Sequence, residues 1–137
     1  MDSVLLGRRI LVVEDEIVIT WLLEDILTAL GCTIISTAAR VKQALSMIET
    51  DGPFDAVVLD INLNGEKSYP VADALFARGI PFVFSTGYNK DSLPKAYQDF
   101  QMVQKPYRQA EMAAALIAIL TPVKPEHLDH SSADLNV

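Results

Sequence analysis

Three short runs without a single polar residue constrain this chain most. Ile10, Leu11, Val12 and Val13 form the first; Ala56, Val57, Val58 and Leu59 form the second; Pro81, Phe82, Val83 and Phe84 form the third. Each stops abruptly: the first at Glu14-Asp15-Glu16, the second at Asp60, the third at Ser85-Thr86-Gly87. A strand with one wet face would alternate apolar and polar residues. A run apolar on both faces suits a central strand of a parallel sheet, with helices covering both sides. Residues 33–35 and 102–103 are shorter, weaker strand candidates.

Helical periods lie between these runs. Ile19, Leu22, Leu23, Ile26, Leu27 and Leu30 recur at helical spacing, and Gly31 ends the pattern. Val41, Ala44, Leu45 and Ile48 give a second helix, closed by Asp51-Gly52-Pro53. Val71, Ala74, Leu75 and Arg78 outline a third, with Pro70 at its start and Gly79 at its end. Residues 92–98 have room for about two turns, with Pro94 tolerated in the first. Met112, Ala113, Leu116, Ile117 and Leu120 give the last helix. The order β-α-β-α-β-α-β-α-β predicts an open five-stranded parallel sheet with right-handed crossovers. Residues 1–121 are expected to form one domain, and residues 122–137, with two prolines and scattered charges, a loose tail. No internal repeat is present.

The overall composition excludes several classes of protein. The chain has 137 residues, half of them hydrophobic, and a formal net charge of −7. One core of this size folds without staples. The lone Cys32 has no partner for an internal disulfide, so a reducing, cytoplasmic location is expected. No apolar run approaches the ~18 residues of a membrane span, and no signal peptide is read at the N-terminus. The acidic balance argues against nucleic acid as a direct partner.

In an open parallel sheet the site lies beyond the carboxyl ends of the strands. Glu14 and Asp15 follow the first strand, Asp60 the third, Thr86 the fourth and Lys105 the fifth. Alone, Asp15 reads as a helix cap, Asp60 and Thr86 as turn residues and Lys105 as a surface charge. Together they are a socket. Three carboxylates at one edge repel one another, and a hard divalent cation such as Mg²⁺ relieves that repulsion. With a lysine and a hydroxyl beside them, a phosphoryl group could be held while one carboxylate attacks it.

The sequence resembles a response-regulator receiver domain of two-component signalling, over about residues 8–120. The matching segments are Ile10-Leu11-Val12-Val13-Glu14-Asp15-Glu16, Val57-Val58-Leu59-Asp60-Ile61-Asn62, Phe84-Ser85-Thr86-Gly87-Tyr88 and Lys105-Pro106-Tyr107. The resemblance implies a flavodoxin-like sheet of order 2-1-3-4-5 with five helices. It implies that Asp60 takes a phosphoryl group from a phosphohistidine of a sensor histidine kinase or histidine phosphotransfer protein. Asp15 and Asp60 would bind Mg²⁺ directly, Glu14 through water and Asn62 through its carbonyl. Thr86 and Lys105 would bind the phosphoryl group, and the Lys105–Pro106 bond would be cis. The fourth-strand segment also resembles a subgroup with the pattern Phe-Ala-Thr-Gly-Tyr, with Ser85 in place of the alanine. Single-domain members of that subgroup often act in general stress signalling.

One departure concerns the switch. Many receivers carry an aromatic three residues before the lysine, where this chain has Met102; Tyr88 is a candidate in its place. No output domain is expected, so the signal would be read by another protein, such as a downstream regulator. Trp21 falls on the polar side of the first helix, the helix that docks the histidine-bearing partner in the family; it either contacts a partner or packs over a neighbouring helix. The outward side of the last helix is expected to carry Ala114, Ala115, Ala118 and Ile119, a face suited to a weak homodimer or a partner, or else covered by the acidic tail. The alternative activity is a haloacid-dehalogenase-like phosphohydrolase. That class carries a second acid two residues after its nucleophile, where this chain has Asn62. A nucleotide-binding module is the least supported, because no glycine-rich phosphate loop occurs.

Overall fold

The computed structural model describes residues 4–87 and 93–121. The three apolar runs become β1 (Arg9–Val13), β3 (Ala56–Asp60) and β6 (Phe82–Thr86). All except Arg9 of these residues are buried. The weaker candidates are β2 (Thr33–Ala38) and β7 (Met102–Gln104). The five strands form one sheet in the order β2-β1-β3-β6-β7, every pair parallel. This is the order that the receiver resemblance implies, with β6 and β7 as its fourth and fifth strands. Two extra two-residue strands, β4 (Asn62–Leu63) and β5 (Glu66–Lys67), pair as a separate antiparallel hairpin.

Side chains alternate across the sheet and build a core on each face. Leu11, Val13, Val57, Leu59, Phe82 and Phe84 pack with α2 (Val41–Thr50) and α3 (Tyr69–Ala77). Ile10, Val12, Ala56, Val58, Val83 and Val103 pack with α1 (Ile17–Ala29) and α4 (Gln109–Leu120). Phe84, Leu59 and Val12 lie among the largest fully buried side chains. Burying a branched or aromatic side chain contributes ~1.5–3 kcal/mol each, so the central strands anchor the molecule. No helix among the described residues is long and apolar enough to cross a membrane.

Three expectations are corrected. Where two helical turns were expected over residues 92–98, the described part holds a single 3₁₀ turn, Lys95–Tyr97. Pro94 before it is extended (φ −54°, ψ 145°), so helical geometry begins only after it, and three residues close no α-helix. Leu22, placed in the apolar stripe of α1, is exposed. Ala115, placed on the outer side of α4, is buried against the second core, whereas Ala114 and Ala118 are exposed and Ile119 is half-buried. The tail, residues 122–137, and Tyr88 lie outside the described residues.

Candidate functional site

The parallel register brings the strand ends level. Val13 pairs with Leu59, Asp60 with Ser85, and Thr86 with Gln104. The residues just beyond therefore meet in one cleft lined by Asp15, Asp60, Asn62, Thr86 and Lys105, with Glu16, Asn64, Gly65 and Gly87 at its rim.

The carboxylates sit at different depths. Glu14 and Asp60 are each 4% exposed, and Asp15 is half-buried. Asp15 is not a helix cap: Glu16 occupies that position, without a capping side-chain bond. Instead Asp15 Oδ2 accepts the Asn64 N–H at 2.9 Å, joining β1 to the β4–β5 turn. Glu14 Oε2 accepts the Glu16 N–H at 3.0 Å, and Asp60 Oδ1 accepts the Asn62 N–H at 3.3 Å.

Lys105 balances the charge. Its Nζ lies 3.0 Å from Glu14 Oε1, 3.1 Å from Asp60 Oδ2 and 3.7 Å from Glu16 Oε1. Its own N–H donates to Thr86 O at 2.8 Å, which extends the β6–β7 ladder by one residue. The Lys105–Pro106 bond is cis. Burial pulls the ammonium pKa down, but the Glu14 bond and the charges of Asp60 and Glu14 raise it on balance. Burial pushes Glu14 up to about 7, with the Asp60 charge adding to the rise and the Glu16 N–H and Lys105 opposing it. Burial also raises Asp60, against the pull of Lys105 and the Asn62 N–H.

The site fits a hard cation. Glu14, Asp15 and Asp60 each offer a carboxylate oxygen, all within 4.8 Å of one another. Glu14 Oε1 is buried without an aligned hydrogen bond, the Lys105 ammonium being its ion-pair neighbour. An all-oxygen donor set with spare acceptor capacity suits Mg²⁺.

Several contacts were not foreseen from the sequence. Ser68 is fully buried, and its Oγ donates to the Asp60 carbonyl at 2.6 Å. That bond hooks the chain after the hairpin to the strand bearing Asp60. Asn62 Oδ1 accepts the Gly65 N–H at 3.0 Å and closes the turn. Ser85 Oγ and Tyr107 OH share a buried hydrogen bond. Met102 is half-buried and pairs with Phe84. In the same core Tyr69 and Tyr97 stack at 4.5 Å, with Tyr97 OH donating to Asp73. Trp21 is 58% exposed on α1, beside the exposed Ile17 and Val18.

The family model for the response regulator receiver domain matches residues 10–117. The chain belongs to that family. This receiver is 47% identical to SdrG from Sphingomonas melonis Fr1, whose solution structure superposes with a TM-score of 0.75 over 88% of this chain and all of that one. It is 44% identical over 69 residues to the transcriptional regulatory protein TcrA of Mycobacterium tuberculosis, a match that covers 50% of this chain but only 26% of TcrA. The receiver domain of the sensor histidine kinase PA1611 from Pseudomonas aeruginosa PAO1 shares the fold. It is 24% identical with a TM-score of 0.73 over 85% of this chain and 99% of that one, and it holds a magnesium ion in its active-site cleft. A receiver is a signalling domain of a two-component system rather than an enzyme with a turned-over substrate.

Proposed function

We propose that this receiver accepts a phosphoryl group onto Asp60 from a phosphohistidine of a sensor histidine kinase or histidine phosphotransfer protein. The observation that carries the reading is the buried Asp60 carboxylate at the floor of the cleft, with Lys105 Nζ 3.1 Å from its Oδ2. In the transfer, an Asp60 oxygen forms a bond to phosphorus as the phosphorus–nitrogen bond breaks. The imidazole leaves and the carboxylate becomes an acyl phosphate. Lys105 sits where it neutralises charge on the incoming group, and Thr86, the last residue of β6, is the hydroxyl that donates to a phosphoryl oxygen.

Asp15, Asp60 and the Asn62 carbonyl would hold Mg²⁺, with Glu14 through water. The ion would offset the carboxylate charge that otherwise repels the donor. After transfer the group adds ~1.5–2 negative charges where Lys105 already bridges two acids. Its ammonium then turns toward the phosphoryl oxygens, and the β6 end carrying Thr86 follows. Signalling proceeds through protein contacts: relay, phosphate drain or binding of a downstream regulator. The exposed α1 patch of Ile17, Val18 and Trp21, on the helix that begins just after cleft-lining Glu16, is the docking face for the phosphohistidine partner. Ala114 and Ala118 on α4 offer a second, weaker face for a homodimer.

A phosphohydrolase would need an acid at position 62. Asn62 instead spends its side-chain carbonyl on the Gly65 N–H, which supports the receiver reading. Intact mass after incubation with acetyl phosphate and Mg²⁺ tests the proposal. The expected result is one phosphoryl adduct, absent without Mg²⁺ and absent in Asp60→Asn. An adduct that survives Asp60→Asn overturns it.

A further inference from the structure

The strand that ends in Thr86 is apolar except at that end, yet Ser85 is 1% exposed in the sheet interior. A buried hydroxyl costs free energy unless it is hydrogen-bonded. Its partner is Tyr107 OH, itself 8% exposed among Val83, Val103, Met112 and Leu116. The pair ties the chain after Lys105 back to β6. Just before, the Lys105 N–H is tied to Thr86 O of the same strand. Between the two ties Pro106 has no N–H to give. Lys105 is thus bracketed by bonds to two consecutive residues of β6, and its Nζ stands 3.0 Å from Glu14 and 3.1 Å from Asp60.

We propose that Ser85 and Tyr107 form a positioning pair that holds Lys105 over the carboxylates of Glu14 and Asp60. Neither hydroxyl touches the phosphoryl group; both act through the lysine. The pattern this segment resembles has alanine in place of Ser85, so the tie belongs to this chain's own sequence. Burial raises the Tyr107 phenol to about 12, opposed by the Ser85 bond and the Lys105 charge and aided by the charges of Glu14 and Asp60, so the hydroxyl stays protonated and the tie persists at neutral pH.

The inference deepens the proposed function and rests on it. The test measures the initial rate of phosphorylation by acetyl phosphate with Mg²⁺ in the wild type, Ser85→Ala, Lys105→Ala and the double variant. Ser85→Ala is expected to slow the reaction about fivefold, since small displacements of a positioned group carry large rate effects. In the Lys105→Ala background the same change is expected to have no further effect. Tyr107→Phe should reproduce Ser85→Ala. The combined Ser85→Ala/Tyr107→Phe protein, with no buried hydroxyl left unpaired, should regain thermal stability but not rate. An equal loss in both Lys105 backgrounds, or a wild-type rate in Ser85→Ala, overturns the inference. The ¹⁵N resonance of the Lys105 ammonium needs no phosphoryl donor and separates this outcome from failure of the proposed function. It should move to the position of exposed lysines in Ser85→Ala, and an unmoved signal overturns the positioning claim even if the wild type accepts no phosphoryl group.

Discussion

At the scale of single residues, Glu14 sets the pH response of the pocket. Burial is the largest cause of its rise from 4.5 to about 7, and Asp60 shifts in the same direction. A carboxyl that binds its proton more tightly when folded stabilises the fold fully below its unfolded pKa. That contribution is lost as pH climbs through the folded value. Without added Mg²⁺, stability in urea should therefore fall between pH 4.5 and about 7, and Glu14→Gln should flatten that part of the profile. A profile unchanged by Glu14→Gln would mean that the side chain ionises as if exposed. Asp60 and Lys105 were legible from their places after strands. The Ser68, Ser85 and Tyr107 contacts were not, because a lone hydroxyl carries no periodicity and its partner is set by packing between distant segments.

At the scale of elements, β1, β3 and β6 were readable because burial on both faces removes polar residues from the run. The edge strand β2 was underread: only β1 pairs with it, so Ser36 and Thr37 are tolerated, and it runs three residues further than its apolar start. The β4–β5 hairpin had a signal that passed unused. Asn64-Gly65 is the dipeptide of a tight hairpin turn, and both residues have positive φ, 54° and 88°. Nothing lies within 4 Å of a Cβ at Gly65, so Gly65→Ala meets backbone strain alone. Its expected cost is about 1 kcal/mol by chemical denaturation. A neutral result would show that the turn relaxes elsewhere. On α1, Trp21→Ala should slow phosphotransfer from a phosphohistidine protein severalfold and leave phosphorylation by acetyl phosphate unchanged, as kinetics with the two donors would reveal. Equal slowing with both donors would place Trp21 in the fold rather than at an interface.

At the scale of the whole molecule, strand order determines where chemistry is possible. β1 and β3 are neighbours at the centre, so acids after each meet without either segment bending toward the other. Lys105 arrives from the far edge strand, which is why the pocket depends on β7 docking. Cation binding should couple to the entire fold by mass action. Mg²⁺ should raise Tm, and the rise should grow with pH through about 7, because protons compete for Glu14. Asp15→Asn should remove most of it. A Tm indifferent to Mg²⁺ at every pH would contradict the cation assignment.

The most direct measurement is borohydride trapping after phosphorylation, followed by peptide mass spectrometry. Reduction converts an aspartyl phosphate to homoserine. Homoserine at position 60 and at no other acid is the predicted result. Trapping at Glu14 or Asp15 instead, or a stable phosphoryl group on a hydroxyl or imidazole with position 60 unchanged, would contradict the account.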